Sequence, residues 1–493
     1  MSAGVPWQPG QRDEVGSLEM DYAAPVARGG PELVIGLVSP VGMNTTDLAS
    51  KVQGILADCD YTAVIIKLSA LLPTGAAPAG ESEDQRIHRL IEAGNAFCAN
   101  NNNDAASIAR LAVTAIRGRR IALLRGDGDT RPADEITAGR PRTAYVLQSL
   151  KRREEVQLLR EVYGNQFVLI GSQGSVAERT LSLLQRNLSA SDDGGKRRIV
   201  DELISVDADD REPLGQNVID TYPQADFFVR NNERGEIDRI IGLLFREPAE
   251  PTIGEYAMYV ARASRARSLA ASRKVGAAIV IDDSVAATGY NDVPHGQVPD
   301  VRQGVDTSEK FKRDNLRDTM QRLKKAGLLA SGLDGDGVDE AVAALKGGEL
   351  MSVIEYQRAV HAEARAIDDA TVRGVSPKGG TLYVTTYPCH LCYKHALSVR
   401  LSRVEYIEPY PKSRAVRMFS EGAEDKLVPF AGVAPRRYME IFDDRPAFVS
   451  DPSGIFPKHD RRVALPLLGT LRQDEDIASN ERTAMNGLKE EYQ

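Results

Sequence analysis

Short apolar runs recur through the first half of the chain, each separated from the next by enough residues for a helical crossover. They read Leu33-Val-Ile-Gly-Leu-Val38, Tyr61-Thr-Ala-Val-Ile-Ile66, Arg120-Ile-Ala-Leu-Leu124, Ala144-Tyr-Val-Leu147, Phe167-Val-Leu-Ile170 and Phe227-Phe-Val229. Continuous β-branched and aromatic runs of this length are what strands buried on both faces require, so the pattern predicts a parallel sheet with helices on both sides. A change of pattern follows near Pro251. The alanine-rich stretch 255–271 reads as a helix, and Val275–Ile281 and Ser284–Tyr290 read as paired strands. Beyond a polar, charged stretch from about 300 to 355, a helix is predicted at 358–373, a strand at 380–386, a helix from 390 and a strand at 403–408.

These shifts divide the chain into four parts. Residues 1–30 are rich in Gly and Pro without periodicity and are expected to be disordered. Residues 31–248 form one α/β domain and residues 249–445 a second. The second carries a helical insertion at about 300–355, broken by Gly332-Leu-Asp-Gly-Asp-Gly337. Residues 446–493 are a polar extension, expected to be partly disordered, with its last 25 or so residues frayed.

Composition adds little to this picture but removes several alternatives. The 493 residues are 42% hydrophobic and 27% charged, as in ordinary globular proteins. No apolar run approaches the roughly 18 residues of a membrane span, and the N-terminus lacks a basic start and apolar stretch, so a cytoplasmic protein is expected. Net charge is −8, which disfavours non-specific coating of nucleic acid but permits binding of a small nucleotide. Four cysteines are too few for a disulfide framework in a chain of this length; Cys59 and Cys98 read as inert buried thiols.

The other two cysteines carry chemistry. Pro388-Cys389-His-Leu-Cys392 places two sulfurs three residues apart at a predicted strand-to-helix turn, and His361-Ala-Glu363 opens the preceding helix. One imidazole and two thiolates make a three-ligand zinc site with a fourth position open to water, whose pKa zinc lowers to about 7. Glu363, beside the metal without ligating it, would move protons to a leaving amine. His-x-Glu followed by Pro-Cys-x-x-Cys is the zinc deaminase pattern. Structural zinc would need a fourth ligand, for which His390 and His395 are candidates, and a thiol redox pair is the remaining alternative.

On these motifs, residues 250–430 resemble the cytidine and deoxycytidylate deaminase superfamily, which implies a C-terminal α/β/α domain. Arg273-Lys-Val275-Gly276-Ala277 and Thr288-Gly-Tyr-Asn291 resemble its strand pair. The resemblance implies that Asn291 holds a sugar hydroxyl and that Val275, Gly276 and Ala277 floor the base pocket. Arg273, and Lys412 with Tyr410 and Ser413, are candidates for a 5′-phosphate. Over residues 30–445 the chain is similar to bacterial anti-phage dCTP/dCMP deaminases, through Tyr145–Lys151, Glu154–Arg160, Tyr163-Gly, Gly215-Gln216, Tyr410–Ser413 and Gly432–Tyr438. That similarity implies an N-terminal P-loop kinase-like domain, deoxycytidine nucleotides as substrate, and a defence role through depletion of the deoxycytidine pool. A homo-oligomer and an inhibitory partner go with that role. A housekeeping dCMP deaminase and a nucleic-acid cytidine deaminase are the alternatives, the latter disfavoured by 6% aromatics and a single tryptophan, Trp7.

The N-terminal half offers one loop, Gly36-Leu-Val-Ser39-Pro-Val41-Gly42-Met43-Asn44-Thr-Thr46, between a strand and a helix, where backbone amides can hold phosphate. It departs from a true phosphate loop: its glycines are six apart and Met43 stands where the lysine belongs. Phosphoryl transfer is therefore disfavoured, leaving a regulatory nucleotide pocket or a structural remnant.

Overall fold

The computed structural model describes residues 29–493 apart from 209, 211, 213, 271–272, 329–336, 346–350, 352, 410–412, 445–449, 451 and 493. Among the described residues, two sheets carry eleven strands. The first contains β1 (Leu33–Val38), β2 (Thr62–Lys67), β3 (Thr143–Gln148), β4 (Phe167–Gln173) and β5 (Phe227–Arg230), in the order β5-β4-β1-β3-β2 and all parallel. Along β1 the side chains alternate between two cores. Val34 and Val38 face helices that include Ser107–Gly126 and Arg153–Tyr163, whereas Leu33, Ile35 and Leu37 face Thr45–Asp58 and Arg234–Leu244. Helices on both faces explain why β1 is apolar at every position that has a side chain.

The second sheet comprises β6 (Gly276–Ile281), β7 (Ser284–Tyr290), β8 (Thr381–Thr386), β9 (Arg403–Glu408) and β10 (Leu427–Pro429) in the order β10-β9-β8-β6-β7. β6 runs antiparallel to both β7 and β8, while β8, β9 and β10 are parallel. The expected strand pair and the 403–408 strand thus stand where the alternation placed them.

The halves interlock. The final strand, β11 (Gly432–Val433), leaves the second unit and pairs antiparallel with β5 of the first sheet. Glu255 fixes this junction. It closes a capping box with Thr252 at the start of the Ile253–Arg265 helix, pairs with Arg239, and accepts the Val433 N–H at 2.8 Å. One apolar core runs on from Tyr145 and Phe228 to Met258, Tyr383 and Phe430.

Two expectations are corrected. Arg120–Leu124 is no strand but the end of the Ser107–Gly126 helix. Ile108, Ala112, Ile116 and Arg120 recur every four residues on its buried face, and that helical period outweighs the local apolar run. The tail is not frayed either: Asp474–Met485 is a helix with Ile477, Ala478, Glu481 and Ala484 buried. Glu481 and Glu32 both pair with the buried Arg120, and Tyr163 donates to Glu481 at 3.0 Å. A polar sequence conceals this anchor because its centre is a charge. The insertion contains the helices Asp300–Gln303, Thr307–Lys325 and Gly337–Leu345, while residues 332–336 of its Gly/Asp break lie outside the described residues. So do residues 1–28 of the segment expected to be disordered. Among the described residues no helix is long and apolar enough to cross a membrane.

Candidate metal centre and the cavity around it

Helix starts present the metal-site side chains. His361 is the N-cap of the Ala362–Val372 helix, and Glu363 sits in its first turn. Paired backbone bonds between Asp292, just after β7, and Val360 fix the approach of the chain. Gly289 lets the helix seat on β7, since a Cβ there would lie 2.0 Å from the Ala362 carbonyl oxygen and 2.6 Å from the Ala366 nitrogen. Cys389 is the N-cap of the His390–Ser398 helix after β8, and its sulfur accepts the Cys392 N–H at 3.4 Å. Because β8 and β6 are adjacent and β7 flanks β6, the two helix starts meet over one end of the sheet.

His361 Nδ1 lies 3.4 Å from Cys389 Sγ and 3.3 Å from Cys392 Sγ. All three ligand atoms fall within 4.8 Å of one another. Tetrahedral zinc with ordinary Zn–S and Zn–N bonds spaces such ligands by about 3.5 Å, so the donor set fits in both chemistry and size. His390 and His395 are not in this group, which leaves the three-ligand arrangement that catalytic zinc uses. Gln357 Oε1 holds His361 Nε2 at 2.6 Å and so turns Nδ1 toward the sulfurs. No sequence signal marked Gln357, which lies in an irregular segment.

Glu363 is only 4% exposed, and burial pushes its carboxyl up to about 7. A hydrogen bond with Cys392 pulls the Cys389 thiol below its usual range, with His361 adding to it, and the same contact pushes the Cys392 thiol up. The site thus combines soft ligands with a carboxyl able to carry a proton near neutral pH.

A cavity of about 1620 Å³ opens over the site, lined by His361, Glu363 and Cys389 and also by residues of the N-terminal half. Of the sequence-derived candidates, Val275, Asn291 and Arg273 line it. Asn291 is engaged locally: Oδ1 accepts from Val275 N at 2.6 Å and from Ser268 Oγ, and Nδ2 donates to the Arg273 carbonyl. Gly276 and Ala277 lie in the buried β6, where Gly276 faces the Ala261 carbonyl. Arg273 pairs with Glu408 and Asp220. Tyr410 and Lys412 lie outside the described residues, and Ser413 donates to the Pro388 carbonyl.

The N-terminal loop departs from a phosphate cradle. Gly36 lies within β1, against Leu150 and Phe167. The Val41 N–H is taken by Asp207 Oδ2 at 2.7 Å, and the other carboxylate oxygen pairs with Lys151 at 2.5 Å. Lys151 also donates to the Ser39 carbonyl. Gly42 has φ +95° and sits against the backbone of Arg179, the Met43 N–H returns to Pro40, and Asn44 caps the following helix through Asp47 N.

Residues 252–408 match the family model described as the cytidine and deoxycytidylate deaminase zinc-binding region. The deoxycytidylate deaminase of Enterobacteria phage T2 is 29% identical over 143 residues, 29% of this chain and 73% of that protein. ComE operon protein 2 of Bacillus subtilis (strain 168) is 32% identical over 102 residues, 19% of this chain and 53% of that protein. Among solved structures, dCMP deaminase from the cyanophage S-TIM5 in complex with dCMP and dUMP is 20% identical, with a TM-score of 0.24, across 37% of this chain and 100% of that one. The protein is a zinc-dependent hydrolase of the cytosine-deaminating type.

Proposed function

We propose that the protein deaminates free deoxycytidine nucleotides, dCMP, dCTP or both, to the corresponding deoxyuridine nucleotides. The observation that carries this reading is the joint presence of His361, Cys389, Cys392 and a buried Glu363 in a segment whose phage T2 and T4 relatives are named deoxycytidylate deaminases. His361, Cys389 and Cys392 would hold a zinc ion, whose chemistry when bound would be to make a water nucleophilic at neutral pH. Glu363 carries protons from the attacking water: one ends on ring N3 and one on the departing amine, a C4–O bond forms and the C4–N bond breaks, and cytosine plus water become uracil plus ammonia. The cavity wall bears Asp201, Asp210, Glu212, Asp300 and Glu309, which favours a small nucleotide over a polynucleotide tracking a basic groove. Sugar contact by Asn291 would use the Nδ2 hydrogen that Arg273 does not take, and Val275 would touch the base.

We extend the proposal to anti-phage depletion of the deoxycytidine pool in the cytoplasm, supported by the pairing of an α/β N-terminal half with the deaminase half in one chain. Constant loss of dCTP would harm the cell, so a restraint by a partner, a homo-oligomer or a nucleotide sensed in the N-terminal half belongs to the same reading. Sensing at the 36–46 loop would require Asp207 to release the Val41 N–H. Purified protein offered dCMP, dCTP, deoxycytidine and single-stranded DNA in parallel should convert a free nucleotide fastest. Faster conversion of the DNA would replace this reading with the polynucleotide one.

A further inference from the structure

Buried guanidinium groups in this fold are paired with acids: Arg120 with Glu32 and Glu481, Arg152 with Glu155. Arg179 is not. It lies on the Val176–Leu184 helix, which follows the C-terminal end of β4, and it is 6% exposed. Its Nη1 donates to the Val41 carbonyl at 3.3 Å, its Nε has no partner, and no carboxylate among the described residues forms an ion pair with it. Burial accordingly pulls its guanidinium below the usual range. Asp207 offsets this only in part and forms no ion pair with it; a buried guanidinium without an ion-pair partner is costly, and a ligand of opposite sign would complete it.

Arg179 lines the same cavity as His361, Glu363 and Cys389. The wall between them is continuous. On β4, Gln173 donates to the Tyr406 hydroxyl at 3.4 Å, the Tyr406 and Tyr387 rings meet at 4.6 Å, and Tyr387 is two residues before Cys389. Gln173 Oε1 is also buried without a partner. At about 1620 Å³ the cavity exceeds the roughly 300–1,000 Å³ usual for a small ligand, so it has room beyond a base and sugar. The neighbouring loop offers an anion less, since Asp207 already occupies the Val41 N–H and Lys151. Asp201, Asp210 and Glu212 repel an anion from other parts of that wall.

Resting on the deaminase reading above, we propose that Arg179 receives the outer phosphates of the nucleotide whose base lies at the metal centre. The substrate pocket is then closed by both halves of the chain, and the N-terminal half sets preference for a polyphosphate over a nucleoside. A guanidinium suits this task because its planar fork matches phosphate oxygens.

The test uses the full zinc-loaded chain and has two arms. By calorimetry, inorganic tripolyphosphate should bind the wild type, and Arg179→Gln should weaken that binding by about 10- to 100-fold, as for a charged hydrogen-bonding partner removed. In kinetics, Arg179→Gln should raise KM for dCTP over the same range while leaving kcat/KM for deoxycytidine unchanged. Equal tripolyphosphate binding by both proteins, or an equal loss on nucleoside and nucleotide, overturns the proposal. If Arg179→Gln does not fold, Arg179→Lys decides: a smaller split of the same kind supports it and no split overturns it. If Arg179-dependent tripolyphosphate binding persists while no deoxycytidine compound is deaminated, the anion site stands and the deaminase reading fails.

Discussion

Replacing Gly289 by alanine adds one methyl group and should cost the enzyme its metal centre. The new Cβ would lie 2.0 Å from the Ala362 carbonyl oxygen, against an ordinary contact of at least 3.4 Å, a shortfall of about 1.4 Å. Both close neighbours, Ala362 O and Ala366 N, are backbone, so no side chain can swing aside. Either the Ala362–Val372 helix lifts from β7 by about an ångström or β7 bends. His361 and Glu363 ride on that helix start, while Cys389 and Cys392 are held by a different one. Zinc tolerates ligand distances within about 0.2 Å of ideal, and a misplacement of about 1 Å costs on the order of 10²-fold in rate. Overpacking itself should destabilise by about 1–3 kcal/mol. Gly276→Ala is the matched comparison. Its Cβ would meet the Ala261 carbonyl at 1.9 Å, on the Ile253–Arg265 helix, which bears no ligand. Urea unfolding should show similar losses for both variants, whereas zinc per folded chain, read by elemental analysis, should fall only in Gly289→Ala. Full zinc and full ammonia release in Gly289→Ala would refute the claim that this contact sets the helix against the sheet.

Three further outcomes are expected. Cys389→Ser, Cys392→Ser and His361→Ala should each lose stoichiometric zinc by elemental analysis, and retention in all three would remove the ligand set. Gln357→Ala should weaken zinc by about 10- to 100-fold in a chelator competition, because it frees the His361 ring to turn. Glu481→Ala should lower unfolding free energy by about 3–5 kcal/mol in urea, since it strips Arg120 of one buried partner and leaves Tyr163 without an acceptor.

The metal centre was legible because its chemistry fixes residue types at short spacing, and each helix start then carries its ligands together. Strand identity was legible wherever a run was buried on both faces, as in β1, β3 and β4. It failed at Arg120–Leu124, where a mostly half-buried run after the buried Arg120, at a helix end, has a strand's composition and a four-residue period upstream decides the outcome. Pairwise features over long separations were not legible. Nothing near Glu481 indicates that Arg120 lies beside it, 361 residues away in sequence. Nor could the loop at Gly36–Thr46 reveal that Asp207 reaches into it from 166 residues on. Asn291 shows a subtler limit: its position after Gly-Tyr suggests a sugar contact, while the three local bonds by which its side chain shapes the entry to β6 leave no mark in the sequence.

Ammonia release from deoxycytidine nucleotides by wild type and Glu363→Gln at matched zinc content is the most direct test of the deaminase centre. The substitution keeps the shape of a buried side chain that ligates nothing, so it should retain one zinc per chain while losing about 10²–10⁴-fold or more of the rate. Near-wild-type release by Glu363→Gln, or a zinc-loaded wild type that frees no ammonia from any cytosine compound, would contradict the deaminase reading.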